Sequence, residues 1–188
     1  MDDETVAGLF ERLRQGDATA QEALVGALYA DLHAIAARHM RGEARQHTLQ
    51  ATALVHETYI RLLTGPTRIN DRNHFFALAA TAMRRALVDH ARAKRSDKRG
   101  GKLERVALDG LPDDVFDVVD VLDFDKALTS LAEVNPRAAR IVELRFFGGH
   151  TDKEVCELMG LTHSMVRRDW ADARAWLTPR LEAYRPEG

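Results

Sequence analysis

Apolar residues recur at every third or fourth position along most of this chain, which is the spacing of one buried helical face. In the second such segment Ala20, Leu24, Leu28 and Leu32 follow this spacing. No segment shows the alternation of apolar and polar residues that is typical of a half-buried strand. The pattern predicts an all-α fold with eight helices, at residues 5–13, 18–40, 49–63, 73–98, 121–131, 136–147, 152–159 and 162–184.

A break in the helical pattern divides the chain into two parts. Gly100 and Gly101 begin a segment without periodicity, which contains Gly110 and Pro112 and continues to about residue 119. We interpret this segment as a flexible linker between two small helical domains. The predicted organisation is an N-terminal domain at residues 1–98, an acidic linker at 99–120 and a C-terminal domain at 121–188.

The composition is that of an ordinary globular protein: 45% of the 188 residues are hydrophobic, 30% are charged, and the formal net charge is −2. No run approaches the ~20 apolar residues that cross a membrane. The acidic start of the chain lacks the basic region of a signal peptide. The single cysteine, Cys156, excludes a disulfide within the chain. We therefore expect a cytoplasmic protein without a membrane partner.

The charges are distributed unevenly along the chain. Residues 84–102 contain eight Lys or Arg residues against two Asp residues, whereas residues 109–125 contain seven Asp residues and no basic residue. One interpretation is a nucleic-acid-binding surface followed by a segment that must not bind there. The alternative is that both segments are simply solvated.

The strongest local motif lies at residues 151–177. Cys156 supplies the small residue that a helix-turn-helix needs where its second helix crosses the first. Gly160, four residues later, can adopt the positive φ of the turn. Val166 supplies the apolar residue that holds the second helix, and Thr162 is a good N-cap for it. The spacing predicts a helix-turn-helix that binds DNA in the major groove.

The helical wheel of the second helix of this motif separates a buried face from a DNA-facing one. Recognition helices contact base edges with their N-terminal residues, and Arg can pair with guanine or bind phosphate. We predict DNA contacts by Ser164, Arg167 and Arg168, with Lys153 of the first helix at a backbone phosphate. The alternative is that the two arginines are solvated or pair with Asp169 and Asp172. Arg137, Arg140 and Arg145 could contact phosphate or pair with nearby acids.

The fourth predicted helix carries a basic stripe beside its apolar face. The stripe includes Arg84, Arg85, Arg92 and Arg95, and such a stripe on a long helix suits contacts to phosphates. The loop before this helix contributes polar side chains, among them Asn70 and Asn73. The alternative for the stripe is a surface that only promotes solubility.

Three segments together resemble a known family. Residues 54–62, Leu-Val-His-Glu-Thr-Tyr-Ile-Arg-Leu, resemble the helix with which bacterial sigma factors grip the clamp of RNA polymerase. Residues 75–95 are similar to the helix that opens and reads the −10 promoter element, and residues 151–177 resemble the −35-reading helix-turn-helix. Two such domains with a short linker are the organisation of the extracytoplasmic-function (ECF) class of the sigma-70 family.

The resemblance implies the partners and a role for each candidate residue. Core RNA polymerase, through its clamp and flap, and promoter DNA are the implied partners, with an anti-sigma factor as a further possibility and no cofactor or metal. A flipped non-template base would enter a pocket beside residues 66–74. The implied sites are Leu54, His56, Glu57 and Arg61 at the clamp, Asn70, Asn73, Arg84, Arg85, Arg92 and Arg95 at the −10 element, and Lys153, Ser164, Arg167 and Arg168 at the −35 element.

One departure from the family concerns the residues just before Leu54. Family members often carry an acidic cluster there, whereas this chain has Gln-Ala-Thr-Ala at residues 50–53. A phosphate on Thr52 would add a charge of roughly −1.5 to −2. We hypothesise that a Ser/Thr kinase switches the protein on at Thr52 or at Thr48. The alternative is that these are ordinary residues at a helix start.

The sequence contains no catalytic constellation, and we do not expect an enzyme. His56 and Glu57 begin like a zinc-protease motif, but Ile60 stands where the second histidine is required. Residues 100–102 lack the remaining residues of a phosphate-binding loop. Two other hypotheses remain: a conventional helix-turn-helix regulator that binds DNA without polymerase, and an anti-sigma or adaptor protein that contacts only other proteins.

Overall fold

The computed structural model describes residues 3–39, 51–64, 69, 71–97, 105–107 and 118–183. Within these ranges the fold is helical, as predicted, and all eight predicted helices are present. The largest shift of a described end is at α5, which ends at Val134 instead of residue 131. The helices are α1 (Asp3–Arg14), α2 (Ala18–His39), α3 (Ala51–Thr64), α4 (Arg72–Asp97), α5 (Val121–Val134), α6 (Pro136–Gly148), α7 (Asp152–Met159) and α8 (His163–Ala183).

Short polar side chains start several of these helices. The Asp17 carboxylate accepts a hydrogen bond from the Thr19 backbone N–H at 2.9 Å and thereby caps α2. Hydrogen bonds from Thr19, and from Arg12, lower the pKa of Asp17 to about 2. Asp120 accepts from two backbone N–H groups at the start of α5, and Asn135 accepts from one in α6.

Two short strands lie in the segment for which no regular structure was predicted. Strand β1 (Arg105–Ala107) pairs antiparallel with β2 (Val118–Asp120), with Arg105 opposite Asp120. Three residues are too few for an alternating pattern to be recognised in a sequence, which explains why the ribbon was not predicted. Asp120 ends β2 and caps α5, so the ribbon leads directly into the C-terminal helices. The rest of the predicted linker lies outside the described residues.

The N-terminal helices α1–α4 and the C-terminal helices α5–α8 pack against each other. Their buried apolar residues form one hydrophobic cluster, which extends from Val6 to Leu181. Helix α4 lies against α6, and the approach is close at Gly148, where an added Cβ would stand 3.1 Å from the Cβ of Ala80. The two predicted helical regions are therefore in direct contact, while the domain boundaries at residues 98 and 121 stay a prediction.

The end of α2 contributes a buried imidazole to this contact. The His39 ring is fully buried, with its centroid 4.9 Å from that of Phe146 and 5.6 Å from that of Phe147 on α6. Burial, assisted by the nearby Arg38 charge, lowers the pKa of His39 to about 3. The ring is therefore neutral near pH 7, and the contact between α2 and α6 is uncharged at this point.

Among the described helices, none is both long enough and apolar enough to cross a membrane.

Candidate nucleic-acid interface

Helices α7 and α8 form the predicted helix-turn-helix. Thr151 caps α7 in a reciprocal arrangement, in which its side chain accepts from the Glu154 N–H and the Glu154 carboxylate accepts from the Thr151 N–H at 2.8 Å. Gly160 ends α7 with a φ of 63°, and the following Leu161 N–H donates to the Cys156 carbonyl at 3.0 Å. The turn glycine is therefore where the spacing predicted it.

The start of α8 also follows the prediction. The Thr162 hydroxyl accepts from the Met165 backbone N–H at 3.4 Å and lies 3.0 Å from the Ser164 hydroxyl. Val166 is fully buried beneath the turn, and Trp170 is buried as well. Cys156 is half-buried against the core. These contacts fix the rotation of α8 about its axis.

The four candidate −35 contacts lie on the surface. Ser164, Arg167 and Arg168 are exposed on α8, and the Lys153 side chain on α7 is 84% exposed. Within the described part of the chain, Arg167 and Arg168 form no ion pair. The alternative of pairing with Asp169 does not hold, because that carboxylate is buried and bound to Arg137. The first two turns of α8 thus present two exposed guanidinium groups to solvent.

Arginines on α6 hold the helix-turn-helix in place. Arg137 binds Asp169 through two parallel contacts, of which the Nη2–Oδ1 distance is 2.9 Å, and this pairing raises the pKa of Arg137. Arg145 stacks over the Trp170 ring at 4.0 Å and pairs with Asp152 at 3.1 Å. Arg140 pairs with Glu143. The sequence left open whether these three arginines contact phosphate or pair with nearby acids. The structure supports the pairing with acids.

Helix α4 has the amphipathic arrangement that its sequence predicts. Phe75, Ala79, Met83 and Ala86 are buried on one side. Of the predicted basic stripe, Arg85, Arg92 and Arg95 are exposed on the other. Arg92 lies 3.9 Å from Asp89 of its own helix and 3.8 Å from Asp125 of α5. These three side chains form a cationic surface that is accessible to a nucleic acid.

Arg84 is placed differently from the rest of the stripe, because it faces the C-terminal helices. Its Nη2 lies 2.7 Å from Asp125 Oδ1, and its Nη1 lies 3.6 Å from Glu143 Oε1. Its Nη2 also donates to the Thr129 hydroxyl at 3.0 Å. The Arg84 side chain is only 18% exposed. In this arrangement Arg84 is occupied by carboxylates, in a cleft that Arg85 and Arg92 also line.

Asn73, at the start of α4, also contacts the C-terminal helices. Its side-chain amide donates to Glu157 of α7 at 3.2 Å. Its backbone carbonyl oxygen lies 3.4 Å from the His150 Nε2 atom. Asn70, the other polar candidate near the predicted base pocket, lies outside the described residues. Of the described −10 candidates, Arg84 and Asn73 are thus held against the C-terminal helices, whereas the exposed Arg92 only approaches them.

The candidate clamp-binding residues on α3 have different environments. Leu54 is fully buried, so in this arrangement it supports the core and is inaccessible to a partner. His56 is exposed. The Arg61 guanidinium bridges the carboxylates of Glu57 at 2.7 Å and Asp89 at 3.0 Å, which ties α3 to α4. Of the clamp candidates, His56 is therefore exposed, Glu57 and Arg61 are half-exposed, and Leu54 is not at the surface.

Thr52 is exposed in the first turn of α3, where a helix favours negative charge. Thr48 lies outside the described residues.

The contacts of Asp125 and Glu143 with Arg84 were not predicted from the sequence. The only signal was the separation of basic and acidic segments along the chain, which left open whether the two would meet. Asp125 is the last acidic residue of the segment 109–125, and it stands on α5, which packs against α4 as well as α6 and α8. The separation of the basic and acidic segments along the sequence therefore indicated, in the case of Arg84 and Asp125, a contact within the chain.

No curated protein matches this chain in a sequence comparison. A family model described as ECF sigma factor matches residues 3–183, which is nearly the whole chain and includes both the basic helix α4 and the helix-turn-helix. The chain therefore belongs to the ECF sigma factor family.

Proposed function

We propose that this protein binds core RNA polymerase and directs it to specific promoters, and that it has no catalytic activity of its own. The observation that carries the proposal is the presence, in one ECF sigma chain, of an exposed recognition helix and a separate long basic helix. Members of this family are factors of transcription initiation. Two DNA-binding elements of different kind suit a two-part promoter better than a single operator site.

The −35 element is the expected target of α7 and α8. Arg167 and Arg168 are placed to reach base edges or phosphates in the major groove, with Ser164 nearest to the helix N-terminus. Lys153 would bind a backbone phosphate and fix the register of the helix-turn-helix. The exposure of all four side chains in the free chain supports this assignment, and the Lys153–Glu157 pair, at 4.0 Å on the surface, is weak.

The −10 element is the expected target of α4 and the preceding loop. Arg85, Arg92 and Arg95 would follow the phosphates of the melted strand, and Arg84 would join them. Asn70 and Asn73 would contact a base flipped out of the stack. The clamp of core polymerase would bind the outer surface of α3 through His56, Glu57 and Arg61, while Leu54 supports that surface from within. The flap would bind the C-terminal half, and an anti-sigma factor would compete for these surfaces.

A selection experiment separates this proposal from a conventional regulator. Random duplex DNA is selected once with the free chain and once with the chain bound to bacterial core polymerase. We expect a bipartite site, with two separated elements, to be enriched only when core enzyme is present. Enrichment of a palindrome by the chain alone would favour the conventional regulator, because such regulators bind as symmetric dimers.

We also propose that phosphorylation of Thr52, or of Thr48, by a Ser/Thr kinase strengthens polymerase binding. The support is the missing acidic cluster at residues 50–53 and the exposure of Thr52 at a helix start. Thr52→Glu is expected to bind core polymerase several-fold more tightly than Thr52→Ala, because a carboxylate there faces basic groups on the clamp. Thr52→Gln is the uncharged control of matched size. Equal affinities of the Glu and Gln variants would refute the switch.

A further inference from the structure

The Arg145 side chain lies where α6 meets both helices of the helix-turn-helix. Its guanidinium carbon stands 4.0 Å from the centre of the Trp170 ring on α8, and its Nη1 lies 3.1 Å from Asp152 Oδ1 in the first turn of α7. The Arg145 and Asp152 side chains are only 17% and 26% exposed. Burial lowers the pKa of Arg145, and the Asp152 charge opposes this shift. The three residues form a link between α7 and α8, the Arg145 bridge.

The bridge holds the end of α7 that has the fewest apolar contacts. Of the eight residues of this helix, only Val155 is buried. Three more are partly buried against the core, and all of them lie in the C-terminal half of the helix: Cys156, Leu158 and Met159. The first three residues of α7 carry none of these apolar anchors. There the pair of Asp152 with Arg145 provides the contact to α6.

The other end of the bridge is the indole ring on α8. Trp170 is buried, and among the described residues its indole N–H has no hydrogen-bond partner. The ring is therefore oriented by packing and by the cation over its face. Helix α8 has a second anchor to α6, because Asp169 is bound to Arg137. Loss of Arg145 would thus leave α8 attached to α6 and release the start of α7.

The two helices that the bridge joins carry contacts of different kinds in the proposed DNA complex. Lys153, one residue after the bridge on α7, is the predicted phosphate contact. Arg168 and Arg167, two and three residues before the bridge on α8, are the predicted base contacts. Phosphate contacts fix the register of a protein on the duplex, whereas base contacts supply the sequence discrimination. Both kinds form together only when α7 is fixed relative to α8.

We propose that Arg145 is a positioning residue for promoter recognition, which sets α7 relative to α8 so that phosphate and base contacts form in one register. Arg145 is largely buried and acts through these helices instead of contacting DNA. Without the bridge, Lys153 still reaches a phosphate in any register, so the general attraction to DNA is retained while discrimination between −35 sequences declines. This promoter-reading role rests on the proposed function, whereas the link between the helices does not.

The test compares the full chain with Arg145→Met, which keeps an unbranched side chain and removes the charge. Arg145→Lys keeps the charge but lacks the planar group that stacks on the indole. Ile141→Val is the control for a general loss of stability, because Ile141 is fully buried on the same helix and no charge changes. Circular dichroism checks that all chains are equally helical.

The first readout is the ratio of initiation with core polymerase from a selected promoter to that from the same promoter with a scrambled −35 element. We expect Arg145→Met to lower this ratio about three- to tenfold, Arg145→Lys to recover part of it, and Ile141→Val to leave it unchanged. Hydrogen exchange gives the second readout: the backbone amides of α7 should exchange faster in Arg145→Met, and those at the start of α8 should change little.

A double-mutant cycle with Lys153→Ala gives a readout that a general loosening would not move. Lys153→Ala should lower initiation from the selected promoter several-fold in the unmodified chain and less than twofold in the Arg145→Met background, where Lys153 is no longer held in register. Additive losses, an unchanged ratio or unchanged exchange in α7 would each overturn the proposal. If the unmodified chain gives no initiation that depends on a −35 element, the proposed function fails and the positioning role with it, while the exchange still reports whether Arg145 ties α7 to α8.

Discussion

Replacing both Arg167 and Arg168 by alanine is expected to reduce initiation from promoters that depend on a −35 element by about 100-fold or more. Each arginine that pairs well with a base contributes about 1–3 kcal/mol of discrimination, and a factor of ten corresponds to 1.4 kcal/mol. Both side chains are exposed and free of ion pairs within the described residues, so their loss leaves the fold intact. Transcription from a promoter selected with the holoenzyme gives the measurement.

The matched control replaces Arg174 and Arg180, which carry the same charge further along α8. Arg180 stacks over the Trp176 ring at 3.4 Å, away from the N-terminal turns of the helix. This control should lose only a few-fold activity, through the weaker general attraction to DNA. Equal losses in the two double variants would show that α8 contributes charge alone and does not read the −35 sequence.

The second large effect concerns stability: Arg137→Ala is expected to lower the free energy of unfolding by about 1–3 kcal/mol, which is the cost of leaving the buried Asp169 carboxylate without its partner. The Asp169 side chain is only 3% exposed, and the variant would leave its carboxylate buried without a cation. This pair joins α6 to the recognition helix, so its loss also loosens the helix-turn-helix. Urea unfolding followed by circular dichroism measures the change.

Two further variants test the physical reason for this loss. Lys153→Ala breaks an exposed pair, whose atoms are 4.0 Å apart, and should change the stability by less than about 0.5 kcal/mol. Adding Asp169→Asn to Arg137→Ala should restore part of the stability, because no uncompensated charge remains buried. If Arg137→Ala is no worse than Lys153→Ala, the pair of Arg137 with the buried Asp169 does not stabilise the fold as described.

The helix-turn-helix could be predicted because its determinants are local. Gly160 must adopt a positive φ, Thr162 must cap the next helix, and Val166 must be buried. All three residues lie within a stretch of seven. The helical spacing likewise predicted the buried face of α4. Such signals depend on neighbours along the chain and are therefore visible in the sequence.

The placement of Arg84 could not be predicted in the same way. Its position on the helical wheel indicates only that it faces away from the apolar side of α4, which is the direction of DNA or of another helix. The partner Asp125 lies 41 residues further along the chain. Leu54 illustrates the converse: its motif resembles a binding helix, but its side chain is needed in the core. Long-range packing decides such cases.

The central claim is that the chain gives core RNA polymerase its promoter specificity. The most direct test is transcription of fragmented genomic DNA by bacterial core polymerase, with and without the purified chain, followed by sequencing of the transcript 5′ ends. The account predicts a small set of discrete start sites that appear only with the chain and share two separated upstream elements. Start sites that are the same with and without the chain would contradict it.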